Sequence, residues 1–495
     1  MTHTRPRILM LTNIDRGEAN VFLATSQALL QRDAAVHFAT FDGFQDAVAR
    51  VSRAAAPRAA APIAFHAIRG LTMEGGVRQC VARAGVAVAH GYLPASFVSP
   101  LRFAVTAAAI RDSCLIMAPY DGPQLVEIVA SVVAIIDRVA PDLVVVDSLM
   151  TAGLTACAHA GARFICLSPN SIKTFARPAP WRYPFLFSGF PYPVPWHLVP
   201  LNVYFFLYAM VVWCTSSRRR KVTHHLLAHV GSTLRTPLDL VHNTFPDLKI
   251  LVSTLPELDF PVACPPSVYP CGPIVRPAMP VAEVDKGLSV WLERGPTVYI
   301  NLGSICRVDH GQALEIARAL RTAFDTLDQL PGAPRIQVLW KLRFIEQLGQ
   351  EPSEHFHRVL GHDIEADRVR IVDWVEADPL SILRSGHVMC SVHHGGANSY
   401  CEAVLAGVPQ VILPQWADCY DYAELVQVLG IGRHGSRSTK PRWNAPELSR
   451  ELLAVLHGEA ARSMKAKAEQ LASLCRERGD GAERGGMMRN TNGPS

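Results

Sequence analysis

The stretch 392–421, VHHGGANSYCEAVLAGVPQVILPQWADCYD, restricts what this chain can fold into more than any other. An apolar run over 387–392 is broken by Gly395-Gly396, and helical spacing follows over 398–405. Gly407-Val408-Pro409 then punctuates the chain before a second short apolar run at 411–413. Strand, glycine turn, helix, strand is the unit of a parallel α/β sheet. The turn leaves free backbone N–H groups and the positive end of the helix dipole facing outward, a ready site for a diphosphate. Gly395 and Gly396 let the backbone come close to such a group, and His394, Asn398 and Ser399 can add donors. Glu402 lies one turn on, on the face of Asn398, where a carboxylate can accept two ribose hydroxyls.

The same alternation runs through the chain. Strands are expected at 8–11, 35–41, 143–146 and 164–167, with a loop at 13–19 and helices at 21–30 and 150–160. Further strands are expected at 298–302, ending in Gly303-Ser304, and at 338–341 and 369–372. Asp147 stands at the carboxyl end of its strand, where open α/β sheets bind ligands. Trp374 follows another strand and can either stack on a flat base or pack in the core. With 495 residues the chain needs two domains. Six prolines in 265–280 mark a linker, so the expected domains are 1–280 and 281–475, followed by a Gly/Arg-rich polar tail, 476–495.

A net charge of +5 is small for this size and is no nucleic-acid signature. Twelve scattered cysteines without a CxxC pair suit a reducing compartment and argue against structural zinc. The N-terminus passes straight into a strand without a secretory apolar stretch, so a cytoplasmic protein is expected. The insertion 177–221 is irregular, rich in Pro and aromatics. It includes the uncharged run 198–214 and then Arg218-Arg219-Arg220-Lys221. The first expectation for that run is a buried helix lining an apolar cleft. Peripheral membrane contact through 196–221 and a membrane span are the other two readings.

In order along the chain, Trp374, His394, Gly396, Asn398, Ser399, Glu402, Gly407-Val408-Pro409, Pro414 and Asp418 resemble the donor-binding signature of family 1 UDP-glycosyltransferases. The first half is similar to the fungal branch of that family through Gly17-x-Ala19-Asn20-Val21 and Pro141-Asp142…Asp147. The resemblance implies a GT-B fold: two Rossmann-like domains with parallel sheets facing a central cleft, the first for the acceptor and the second for the UDP-sugar. It assigns uracil to Trp374, diphosphate to His394, Asn398, Ser399 and the Gly303-Ser304 loop, ribose to Glu402 and sugar hydroxyls to Asp418. It implies inverting transfer from a UDP-sugar without metal or cofactor, and the aromatic insertion Trp181–Trp213 suits a hydrophobic small molecule as acceptor.

Three positions depart from the family pattern. Cys419 stands where a sugar-binding Gln is usual, Ala377 where many relatives carry Gln, and Glu18 where a His base follows the first-loop glycine. Glu18 acting with Asp147 is one reading of the base; Asp147 alone, a lost or substrate-assisted base, and a surface ion pair between Glu18 and Arg16 or another cation are others. His66 and His90 are looser candidates. The same departures leave open a non-catalytic GT-B protein that binds nucleotide-sugar or lipid as a partner subunit.

Overall fold

In the computed structural model the described residues are 5–56, 61–245, 247–345 and 353–487. Short aliphatic runs assemble into two all-parallel sheets. The first contains β1 (Arg7–Leu11), β2 (Ala35–Phe41), β3 (Ala64–Ile68), β4 (Leu143–Asp147), β5 (Phe164–Ser168), β6 (Ile250–Val252) and β7 (Val268–Pro270), in the order β3-β2-β1-β4-β5-β6-β7. The second contains β8 (Thr297–Asn301), β9 (Gln337–Lys341), β10 (Val369–Val372), β11 (Val388–His393), β12 (Gln410–Ile412) and β13 (Gly432–His434), in the order β10-β9-β8-β11-β12-β13. Strand order reverses at β1/β4 in one sheet, where Leu11 pairs with Val146. It reverses at β8/β11 in the other, where Asn301 pairs with His393. Carboxyl-end loops part at such points and leave a crevice.

Seven helices matter below: α1 (Arg16–Leu30), α2 (Val199–Thr215), α3 (Ser217–Val230), α4 (Ala397–Ala406), α5 (Cys419–Val428), α6 (Gly458–Arg478) and α7 (Gly481–Met487). Aliphatic cores lie against both sheets, as helix-covered parallel strands require. A further cluster joins Leu258 and Phe260 of the first half to Tyr400, Ile412 and Leu425 of the second. The Tyr400 hydroxyl there donates to the Leu258 carbonyl at 2.8 Å.

Four expectations are corrected. The loop 13–19 is already helical from Arg16, so Glu18 lies in the first turn of α1. The proline-rich 265–280 is not all linker, because β7 lies within it and extends the first sheet beside β6. The uncharged run is the helix α2, but only Asn202 and Phe205 on it are buried. The tail is helical to Met487, and α7 returns to the first sheet, with Ala482 buried in the core that holds Leu29, Leu251 and Cys271. Residues 488–495 of that tail lie outside the described residues.

The glycines that make the tail look unstructured are what lets it dock. A Cβ on Gly481 would stand 2.5 Å from the carbonyl oxygens of both Gly272 and Pro273. Arg32 adds an ion pair to Glu483 at 3.2 Å. Gly481→Val is therefore expected to destabilise the fold by about 1–3 kcal/mol through overpacking. A thermal or urea unfolding midpoint equal to that of the parent chain would count against this docking.

Candidate functional site

At the first switch point Asp147 ends β4 with no solvent exposure. The Leu149 N–H donates to its Oδ1 at 2.8 Å. Its Oδ2 accepts from Thr12 Oγ1 at 3.2 Å and from the backbone and side-chain N–H groups of Asn13 at 3.3 Å. Burial still holds its carboxyl above the usual range, against those donors. Glu18, half-buried on α1, hydrogen-bonds to Asp147 and is raised further, first by burial and then by the charges of Asp147, Asp418 and Asp15. Two carboxyls that share a hydrogen bond hold a proton between them. Among the described residues no N–H or O–H donates to the buried Glu18 Oε2 atom. Among the described residues no ion pair joins Glu18 to Arg16, whose guanidinium lies 5.4 Å from the Trp374 ring centre. Asp15, at the cap of α1, is pushed up to about 6 by burial and by Asp147.

The second switch point supplies the opposite wall. Gly303 has φ +87, and a Cβ there would lie 2.6 Å from the His394 ring; one on Gly396 would lie 2.5 Å from it. The imidazole is thus held between two glycines, with Trp416 tilted against it at 5.7 Å. Gly395, at φ +89, is required by the close approach of the Cys419 carbonyl. Burial, then His393 and Lys341, lowers His394 to about 3, so the ring is neutral and acts through hydrogen bonds rather than charge. Among the described residues its Nδ1 has no partner. Ser304 sits in the same loop, its carbonyl accepting from Arg343 at 2.7 Å. Asn398 and Ser399 occupy the first turn of α4.

Trp374 is 44% exposed, which removes the core-packing reading, and Lys341 lies 4.5 Å from its ring centre. Glu402 on α4 is raised to about 8 by burial and by Asp378, against the pull of Arg276 and Lys341. Asp418 caps α5 and is raised to about 7 by burial and by Asp421. Cys419, grouped with the sugar contacts on the sequence, is 1% exposed, with its thiol raised by burial. Its backbone forms part of the wall against Gly395, and its thiol is closed off from the cleft. Ala377 is likewise buried.

The two walls touch. Asn398 Nδ2 donates to the Gly17 carbonyl at 3.0 Å, which sets the first turn of α1 beside that of α4. Lys173, from Ile172–Phe175, pairs with Asp421 of α5 at 2.6 Å, and both are largely buried. The Arg307 N–H donates to His90 Nδ1 at 3.2 Å, and His90 packs on Trp416, so His90 does line this region. His66 instead pairs with His37 on neighbouring strands, near Arg138. Sequence reading missed Lys173, Asp421 and Asp15, which carry no motif; Lys173 was visible only as a lone cation in an apolar stretch.

Solved structures place this architecture. A UDP-glucosyltransferase from Polygonum tinctorium aligns over 98% of this chain and 97% of its own, with TM-score 0.59 and 16% identity. UGT2 of Phytolacca americana aligns over 96% and 95%, with the same TM-score and identity. The fold is GT-B. Residues 357–475 match the erythromycin biosynthesis protein CIII-like C-terminal domain. Glycosyltransferase sdnJ of Sordaria araneosa is 36% identical over 304 residues, covering 60% of this chain and 58% of that protein. UDP-glycosyltransferase 84B2 of Arabidopsis thaliana is 28% identical over 270 residues, covering 51% and 57%. The chain thus spans somewhat over half the length of these relatives. The resemblance to family 1 UDP-glycosyltransferases, fungal members included, is borne out.

The raised carboxyls make stability depend on pH. Glu402 goes from 4.5 to about 8 on folding and Asp418 from 3.8 to about 7. The folded state therefore holds protons that the unfolded chain has lost. Their contribution is complete below about pH 4, declines as pH rises, and is gone above about pH 8. Glu402→Gln should flatten the fall in unfolding midpoint between pH 5 and 8 for the ligand-free protein. An unchanged slope would show that Glu402 ionises normally.

Proposed function

We propose that this protein is an inverting glycosyltransferase that moves a hexose, glucose foremost, from a UDP-sugar to a hydroxyl of a hydrophobic small molecule. Lipids, sterols, terpenoids and polyketides are the acceptor classes in view. The observation that carries the reading is the carboxyl pair Glu18–Asp147 on one switch point, set against the glycine-bounded N-terminus of α4 on the other. Glucose rests on two solved neighbours, one a UDP-glucosyltransferase and the other complexed with UDP-2-fluoro-glucose.

Uracil stacks on the exposed Trp374, between Arg16 and Lys341. Glu402 takes the ribose hydroxyls. The diphosphate lies on the first turn of α4, with donors from His394, Asn398, Ser399 and the Gly303-Ser304 loop, and Asp418 takes hydroxyls of the sugar. The acceptor hydroxyl donates to the Glu18 carboxyl. As its oxygen bonds to the anomeric carbon, the bond from that carbon to the phosphate oxygen breaks and its electron pair leaves with UDP. The acceptor proton goes to Glu18, whose own proton passes to Asp147, so the pair takes up one proton in all. Asp147 works through Glu18, since its own oxygens are buried and bonded. The charge growing on UDP meets the positive end of α4, Lys341 and Arg16, so the scheme calls on no metal. With all twelve cysteines free, a reducing compartment such as the cytoplasm is proposed.

The test is UDP release from UDP-glucose with a panel of hydrophobic alcohols. Glu18→Gln and Asp147→Asn should each lower kcat about 10²–10⁴-fold, the range for loss of a general base. UDP-glucose affinity should hardly change. Because burial raises both carboxyls, the acid limb of the rate profile should lie above the ordinary carboxylate range and vanish in Glu18→Gln. Tight UDP-glucose binding without turnover on any alcohol, unaltered in Glu18→His, would instead establish the non-catalytic partner role.

A further inference from the structure

The helix α2 presents a surface that the proposed chemistry does not use. Its seventeen residues carry no charge and are apolar around the whole circumference. Such a helix is normally buried on all sides. Here Tyr204, Leu207, Met210 and Val211 are 44–58% exposed, and Trp196, in the turn leading into the helix, is 85% exposed. Phe103, from Phe103–Met117 alongside, is 54% exposed and rests on Tyr204 and Phe205. The stretch Trp196–Thr215 is long and apolar enough to cross a membrane. It is nevertheless fixed to the domain. Asn202, fully buried, accepts from the Phe185 N–H at 2.8 Å and donates to the carbonyls of Pro180 and Tyr183 at 2.6 and 2.9 Å. Phe205 is 2% exposed. Spanning a bilayer would tear out both anchors, whereas lying on one leaves them in place.

Charge identifies the occupant. Between Asp147 and Asp239 the chain has no Asp or Glu and nine Lys or Arg, although over the whole sequence 43 acids balance 48 bases. Four of those cations follow α2 directly. Arg218 is taken up by the carbonyls of Ala118 and Tyr120, and Arg219 lies over Trp213. Arg220 and Lys221 are exposed. An apolar face with indoles at its ends and exposed cations beside it matches the acyl boundary and headgroups of a bilayer. A second copy would set one basic stretch against another.

We infer that α2, with Trp196, Phe103 and the Arg220-Lys221 pair, is a docking face for an anionic lipid surface, on which the protein lies without spanning it. The inference stands apart from the glycosyl transfer, and UDP-glucose binding measured in parallel keeps the two distinguishable.

The test is flotation of the full chain with vesicles of phosphatidylcholine alone and with 30% phosphatidylserine, in roughly 0.05 and 0.5 M salt. The expected result is binding to the anionic vesicles that weakens in high salt. Leu207→Glu/Val211→Glu should abolish it. Arg220→Gln/Lys221→Gln should reduce the partition about ten- to thirtyfold. UDP-glucose binding should be unchanged in both variants, showing that they fold. Absence of binding in low salt, or binding indifferent to Leu207→Glu/Val211→Glu, overturns the inference. So does resistance to carbonate extraction, which marks a span, or dimerisation in lipid-free solution that the same variant removes, which gives the face to a second copy.

Discussion

A parallel sheet sends the carboxyl end of every strand to one edge, and the rest of this molecule follows from having two such edges opposed. Each sheet reverses its strand order once, at Leu11/Val146 and at Asn301/His393. At each reversal the neighbouring loops diverge and leave polar backbone groups unspent. Asp147 and Glu18 stand at one gap, and Gly303, His394 and Asn398 at the other. Neither gap holds both halves of the proposed chemistry. The contacts that set them face to face are therefore as necessary as the residues themselves: Asn398 to Gly17, Lys173 to Asp421, Tyr400 to Leu258. Of these, the Lys173 pair is the costliest to break, since removing one partner strands a desolvated charge.

The electrostatics of the cleft run in one direction. Asp15, Glu18, Asp147, Glu402 and Asp418 all hold protons more tightly than free carboxyls do, with burial as the leading cause in every case. The diphosphate of the proposed donor would be repelled if these groups were all ionised. Kept partly protonated, they add little negative potential and can donate as well as accept hydrogen bonds. The His and Lys side chains move the opposite way, His394 to about 3 and Lys341 downward, again through burial. Backbone N–H groups at the start of α4, which cannot titrate, remain the steady source of positive potential.

The strand–turn–helix unit of the second half was legible because its signals are local: glycine where φ is positive, β-branched runs of the right length, a helix directly after the turn. β1, β2, β4 and β5 were legible for the same reason, and so was the placement of Asp147 at a strand end. What stayed hidden depends on distant partners. Val268–Pro270 reads as a proline linker because its strand exists only by pairing with Ile250–Val252. Gly481–Met487 reads as a frayed tail because its glycines make sense only against the carbonyls of Gly272 and Pro273. Cys419 aligns with a ligand contact, yet its environment is set by Gly395 packing onto its backbone. Glu18 was found through its place in a pattern, but its hydrogen bond to Asp147 needed the fold.

His394 shows why pattern and physics must be combined at such a site. A histidine beside the proposed diphosphate invites the reading of a cation. Two glycines instead close on both sides of the ring, and a buried imidazole with His393 and Lys341 nearby cannot keep a second proton. The ring can still give one N–H to an oxygen, in a direction fixed by Gly303, Gly396 and Trp416. In the proposed reaction its contribution to the departing nucleotide is thus orientation, and any charge must come from elsewhere. Lys341 at the end of β9 and Arg16 at the start of α1 both lie against Trp374, one from each domain. The docking of the two domains therefore gathers positive charge at Trp374, where the proposed nucleotide stacks, and the same docking sets the first turn of α1, with Glu18, beside that of α4.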